Sequence, residues 1–176
     1  MKQNKITALS FIYSVVFLIL FLTAHCFASQ ITCNVTRVLD GDTFHCLPEK
    51  FLFGAKLHKD GTVSVRMRGI DAPEKRQAYG EDARLSLKDM IGNKTVKLDV
   101  KDIDRYGRVV AYVWYNGVNI NLEQVKRGMA WAYTEYLDRP YASEFYEAEK
   151  QARKQKLGLW QQNNPTPPWE WRKRNR

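Results

Sequence analysis

The chain has 176 residues, 44% hydrophobic and 27% charged, and its 28 Lys and Arg against 19 Asp and Glu give a formal charge of +9. That length suits one domain with a proper core, and neither an internal repeat nor a second domain is visible along it. The basic excess favours polyanionic partners, nucleic acid or an anionic membrane face, over basic ones.

Lys2 and Lys5 form a basic n-region, and residues 11–22 form an apolar h-region interrupted only by Ser14. Cys26-Phe27-Ala28 then places small residues at the −3 and −1 positions of a cut before Ser29, the order of a secretory signal peptide. Residues 1–28 are therefore set apart, and the protein is expected to be secreted or periplasmic. The rival is an inner-membrane anchor through residues 6–28, which carry no charge. His25 before Cys26 speaks against a lipoprotein. Cleavage removes Lys2, Lys5 and no carboxylate, so the charge falls from +9 to +7.

Cleavage also removes Cys26 and leaves Cys33 and Cys46. An even pair in an oxidising compartment reads as a disulfide, with two buried free thiols as the alternative. The two flank Asp40-Gly41, a dipeptide suited to a tight hairpin turn between β-rich runs at 31–39 and 43–47. Parity puts both cysteines on one face of that hairpin, diagonal rather than directly opposed.

Residues 48–61 are less regular, and Phe51, Leu52 and Phe53 either pack on the body or form an exposed patch. A third strand is expected over 62–70. Ala83, Leu87, Met90 and Ile91 recur at helical spacing, and Gly92 closes that helix. Residues 95–100 and 109–115 are strands, and 119–127 is a short helix ending at Gly128. Residues 143–156 form a third helix with Phe145, Ala148 and Ala152 on one stripe. The domain runs over 29–163, and 164–176 is a proline- and tryptophan-rich basic tail. Five strands, a helix inserted after the third and helices at the end suggest an α+β fold. Its body is a five-stranded, Greek-key β-barrel of the OB type with three α-helices.

Three stretches carry the chemistry. Arg66-Met67-Arg68-Gly69-Ile70-Asp71-Ala72-Pro73-Glu74 runs as a strand into a proline that ends the ladder, leaving two carboxylates beside two guanidiniums. Asp40-Gly41-Asp42-Thr43 lies upstream and Asp104-Arg105-Tyr106-Gly107-Arg108 downstream. Fixed anions beside fixed cations can hold a hard metal ion and a phosphate together. Strict alternation would place Asp71 on the face opposite Arg66, so a bulge or sharp twist is required, and Gly69 is the place for it. Spacing by itself does not choose between Arg66 and Arg68.

These three blocks, in order and at this approximate spacing, resemble the staphylococcal (micrococcal) nuclease family over roughly residues 35–160. Tyr79-Gly80, Gly128-Met129-Ala130 and Leu157-Gly158-Leu159-Trp160 also agree. The resemblance implies an OB-type barrel with three helices and calcium-dependent cleavage of DNA and RNA to 3′-phosphate products. Carried over by motif position, Asp42, Asp71 and the Ala72 carbonyl would bind one calcium ion, with Asp40 behind them orienting ligands or water. Arg66 and Arg108 would clamp the phosphate, Glu74 would be the general base, and Tyr106 would contact substrate. Tyr133 and Tyr136 lie where the alignment slips, so base stacking and core packing both stand for them. The segment from Glu74 to Tyr79 is shorter than in the family's best-known member, which bears on how Glu74 is presented. No protein partner is implied and a monomer is expected.

His45 and His58 pair with no Cys or Asp at metal spacing, which argues against a histidine-based nuclease and a catalytic zinc site. Trp169 and Trp171 have no assignable chemistry beyond packing the tail. The alternatives to an enzyme are a non-catalytic OB-type nucleic-acid-binding module and a basic barrel for anionic lipid or polysaccharide.

Overall fold

The computed structural model describes residues 30–175. The leader, its cut before Ser29 and the anchor alternative lie outside the described residues, among which no helix is long and apolar enough to cross a membrane. Eight strands form: β1 (Ile31–Val38), β2 (Thr43–Pro48), β3 (Val63–Met67), β4 (Ile70–Asp71), β5 (Thr95–Ile103), β6 (Val109–Tyr115), β7 (Val118–Asn119) and β8 (Trp131–Ala132). The helices are α1 (Gly80–Ile91), α2 (Ile120–Lys126), α3 (Arg139–Lys154) and α4 (Pro168–Arg174).

Strands run in the order β3-β2-β1-β5-β6, and β3 then pairs with β6 in parallel, Val65 opposite Val109 and Met67 opposite Ala111. That last pairing closes the five strands into a mixed barrel of the OB type, as expected from the order of elements. Alternation along β3 decides what faces where. Val63, Val65 and Met67 are buried in the barrel, whereas Ser64 and Arg66 are half-buried on its outside. Leu87 and Ile91 of α1 and Phe145 of α3 complete the core.

Cys33 and Cys46 are joined by a disulfide with their Cα atoms 5.7 Å apart. Cys46 lies opposite Val35 and Cys33 opposite Pro48, the diagonal placement expected from parity. Closing a loop with a sequence separation of 13 contributes about 3 kcal/mol in the chain-entropy picture. Beyond it, Leu52 is buried while Phe51 and Phe53 are exposed, so the 48–61 segment splits between the two alternatives.

The third strand does not run to Ile70. It stops at Met67, the chain turns at Gly69 with φ +75°, and Ile70–Asp71 pairs instead with Trp131–Ala132. An L side chain is strained at that φ, and a Cβ on Gly69 would also collide with the Leu137 side chain. Gly41 serves a different need, because a Cβ there would stand 2.6 Å from the β-carbons of both Ala72 and Ala83. The Asp40–Asp42 loop can lie directly against Ala72 only if it has no side chain at that point.

Two buried amides of α2 tie these turns down. Gln124 Nε2 donates to the Gly41 carbonyl at 2.7 Å and to the Ala83 carbonyl at 3.1 Å. Asn121 Nδ2 donates to the Arg68 carbonyl at 2.9 Å, while its Oδ1 accepts from Val113 N–H at 2.9 Å. One helix thus braces both loops that carry the acidic motifs.

The helix count differs from the expected three. α3 begins at Arg139, ahead of Ser143, because Pro140 suits the first turn of a helix. The tail folds as a fourth helix, α4, which starts at Pro168 and ends in Arg172, Lys173 and Arg174.

Gly69→Ala is expected to lower stability by about 1–2 kcal/mol from the φ requirement, and further through the Leu137 clash. Urea denaturation of the oxidised protein measures it; an unchanged midpoint would mean the turn tolerates an ordinary residue.

Candidate active site

Asp42 leaves the β1–β2 loop with almost no exposure, and all of its carboxylate is engaged. Oδ1 accepts from Thr43 Oγ1 at 3.0 Å, Oδ2 accepts from Ala72 N–H at 2.7 Å, and Arg66 Nη1 lies against Oδ2 as an ion pair. Arg66 reaches the same place from the outer face of β3. Its other terminal nitrogen, Nη2, donates to Asp71 Oδ1 at 2.8 Å. The turn at Gly69 and the pairing of β4 with β8 bring Asp71, which is 1% exposed, round to the Arg66 side. One guanidinium thus spans two buried carboxylates.

Asp40 stands behind Asp42 and accepts its backbone N–H at 3.0 Å. Burial and the neighbouring Asp42 charge push the Asp40 carboxyl up to about 7. Burial likewise raises Asp71, against the pull of Arg172 and Arg66. Burial acts to lower the Arg66 guanidinium, but the charges of Asp42, Asp71 and Asp40 outweigh it and hold Arg66 above its usual range. Among the described residues no three His, Cys, Asp or Glu side chains are grouped to hold a metal ion. An ion here would be held by Asp42 and Asp71 together with backbone oxygen and water. Every available donor is a hard oxygen, which fits calcium. Ala72 meets the cluster through its N–H, and its carbonyl follows on the same short turn.

Arg68 is directed away from the cluster. Nε and Nη2 form a fork on Asp138 at 3.1 and 2.9 Å, and this bond lowers the Asp138 carboxyl. Arg108 is not in the cluster. It precedes Val109, which pairs with Val65, so Arg108 shares the outer face of Arg66 and Val110 on the adjacent strand. Asp104 holds it, accepting Arg108 Nε at 2.7 Å and its N–H at 3.0 Å. Tyr106 is exposed, with the Arg105 and Arg108 guanidiniums 4.9 and 5.5 Å from its ring centre.

Glu74 sits on the short irregular connection to α1. Gln77 caps it, accepting the Glu74 N–H at 3.1 Å, and the Gln77 N–H donates back to the Glu74 carbonyl at 2.8 Å. Tyr133 N–H donates to the Gly69 carbonyl at 2.8 Å, which places its ring beside the Asp71 turn, and Tyr136 tilts against it with centroids 5.0 Å apart. His45 and His58 stack on each other at 4.4 Å, and His58 Nε2 lies 3.0 Å from Ser64 Oγ.

The residue that sequence reasoning missed is Arg172. From α4 its Nη1 donates to Asp71 Oδ1 at 3.1 Å and to Glu74 Oε1 at 2.8 Å, and its Nη2 donates to Asp71 Oδ2 at 2.8 Å. Trp169, one turn earlier, stacks on Tyr133 with centroids 5.3 Å apart and planes 9° from parallel. A signal was present. Pro168 at the first position, Glu170 in the first turn and three basic residues in the last are a helix signature, and it puts Trp169 and Arg172 on one face.

The family model described as staphylococcal nuclease homologue matches residues 64–162. An uncharacterized endonuclease of Haemophilus influenzae is 40% identical over 90% of this chain and 83% of its own. A micrococcal nuclease of Shigella flexneri is 41% identical over 80% of this chain and 79% of its own. An uncharacterized endonuclease of Escherichia coli is 37% identical over 80% and 84%. Together with the closed OB-type barrel and its acidic cluster, these matches show that the chain belongs to the staphylococcal nuclease family.

Proposed function

We propose that this protein is a calcium-dependent nuclease that hydrolyses DNA and RNA with little sequence preference, leaving 3′-phosphates. The observation that carries the reading is the convergence of Asp42 and Asp71 on Arg66, with Glu74 joined to Asp71 through a single guanidinium. The Asp42 and Asp71 carboxylates and the Ala72 carbonyl would hold the ion. Calcium, when bound, supplies positive charge that polarises a phosphoryl oxygen.

The remaining chemistry falls to side chains. Water adds to phosphorus while Glu74 takes the proton it loses. The bond to the 5′ oxygen breaks, that oxygen taking a proton from solvent water to leave as the alcohol. The phosphoryl group goes from one negative charge towards two, and donors that bind the extra charge lower the barrier. Arg66 and Arg108 suit that task, since each guanidinium is a planar fork that stays protonated. Arg66 would exchange part of its contact with Asp42 and Asp71 for the phosphate once those carboxylates hold the ion. Tyr106 and Tyr136, both exposed, offer aromatic faces on which any base can stack. Phosphate contacts carry no sequence information directly, so weak selectivity follows.

Plasmid DNA and RNA should be digested with calcium and left intact with chelator, with magnesium a poorer substitute. Asp42→Ala and Asp71→Ala each remove a ligand and should shift the calcium midpoint upward at least about tenfold. Wild-type digestion by Asp42→Ala at limiting calcium would sink the metal assignment, and retention of DNA without cleavage would favour a binding module.

Arg66→Lys and Arg108→Lys keep the charge and lose the fork. Each is expected to lower kcat about a hundredfold, equivalent to roughly 3 kcal/mol, with KM much less affected. Arg68→Ala is the control, expected to keep kcat because Arg68 is spent on Asp138. If both lysine variants turn over normally while Arg68→Ala is dead, the phosphate clamp has been misassigned.

The leader pattern of residues 1–28 supports secretion or a periplasmic location. Intact-mass measurement of the protein from its host should give a chain beginning at Ser29. A mass that retains Met1 to Ala28, in the membrane fraction, would favour the anchor.

A further inference from the structure

We infer that Arg172 is a positioning residue of the active site, fixing the Glu74 and Asp71 carboxylates relative to each other, and that helix α4 completes the site. This rests on the reading of Glu74 as base and Asp71 as ligand. Three N–H bonds from one planar group run to the two carboxylates, and a single nitrogen, Nη1, is shared between Asp71 Oδ1 and Glu74 Oε1. The distance between the two acids is thereby tied to the dimensions of one guanidinium.

Glu74 needs such a tie. Its connection to α1 is short and without regular structure, its side chain is 35% exposed, and Arg172 is the hydrogen-bond partner of its carboxylate among the described residues. Asp71 differs, being 1% exposed and already held by Arg66. Arg172 couples the loose acid to the fixed one. A misplacement of about 1 Å at a reacting group costs on the order of a hundredfold in rate, so a brace on Glu74 acts on kcat.

The tail is anchored well enough to serve as that brace. Trp169 stacks on Tyr133 and meets Trp131 edge-on at 5.6 Å, and Pro168 is buried. Gln77 ties the same connection to the tail a second time. Its Oε1 accepts from Glu74 N–H at 3.1 Å while its Nε2 donates to the Thr166 carbonyl at 2.6 Å. Backbone and carboxylate of Glu74 are thus both referred to the tail. The opposing view is that Arg172 is a cation that competes with the metal for Asp71. It forecasts tighter calcium binding and an unchanged or raised kcat for Arg172→Ala.

The test compares the wild type with Arg172→Ala, Arg172→Lys, Glu74→Gln and the Arg172→Ala/Glu74→Gln double variant, at saturating calcium and fixed salt. Arg172→Ala should lose about ten- to a hundredfold in kcat, with KM within about threefold. Lysine cannot span two carboxylates with a planar fork and should recover little. If Arg172 acts through Glu74, the double variant is no slower than Glu74→Gln by itself. Added guanidinium ion at non-denaturing concentration should restore part of the Arg172→Ala rate and none of the Glu74→Gln rate. Calcium titration calorimetry, which needs no turnover, should give the Arg172→Ala protein an affinity within about threefold of wild type. Arg172→Gln takes the place of alanine if circular dichroism shows the alanine variant unfolded. Arg174→Ala, an exposed neighbour, should behave as wild type.

Unchanged or raised kcat in Arg172→Ala, losses that multiply in the double variant, or calcium bound at least about tenfold more tightly would each overturn the inference. A wild type that cleaves nothing with calcium overturns the nuclease reading instead, so the two failures are told apart.

Discussion

Two carboxylates enclosed as completely as Asp42 and Asp71 need positive charge beside them; Arg172 brings it to Asp71 alone, and Arg66 brings it to both. Its guanidinium spans both, as an ion pair to Asp42 Oδ2 and a hydrogen bond to Asp71 Oδ1. Removing one partner from such a cluster leaves an uncompensated buried charge, at a cost of about 3–5 kcal/mol. The barrel closure, the turn at Gly69 and the approach of the Asp40–Asp42 loop to Ala72 all have to be in place for this contact to form. The contact in turn holds the β1–β2 loop, β3 and the turn into β4 at one point.

Rigidity around that point comes from polar groups that are themselves buried. Asn121 and Gln124, both fully enclosed, satisfy carbonyls of the Arg68 and Gly41 turns that the strand ladders leave unpaired. A buried carbonyl without a partner costs on the order of 1–3 kcal/mol, so these amides stabilise the two turns in one arrangement. The barrel supplies the outer face for Arg66 and Arg108, α2 sets the loops, and α4 brings Arg172 onto Asp71 and Glu74. On this geometry the site has an acid-rich interior and an arginine-rich rim.

Much of this was legible in the chain. Alternation put Arg66 and Asp71 on opposite strand faces, because the strand period is two, and within β3 Arg66 is the half-buried residue between buried Val65 and Met67. The order of five strands and the inserted helix pointed to the barrel, and the cysteine parity pointed to the diagonal disulfide. Gly69 was the place where alternation had to fail if Asp71 was to join Arg66, and it is where the chain takes φ +75°. The three acidic and basic motifs, read as a set, led to the nuclease family.

Local pattern by itself located the barrel strands and α1 and α2, and motif order led to the family. It left the disulfide against two free thiols and carried the third strand on to Ile70. Tertiary structure gave Arg66 and Arg68, which share a strand face on strict alternation, different partners. The break before Gly69 sends Arg68 to Asp138, a residue far away in sequence. It also decided the fate of the tail. A run of Pro, Trp and Arg can be read as a helix, but which surface that helix covers depends on Tyr133, Trp131 and Gln77. Those residues become neighbours only when β4 pairs with β8. Arg172 meets Asp71 across a separation of 101 residues, and no periodicity or motif in one chain spans that distance.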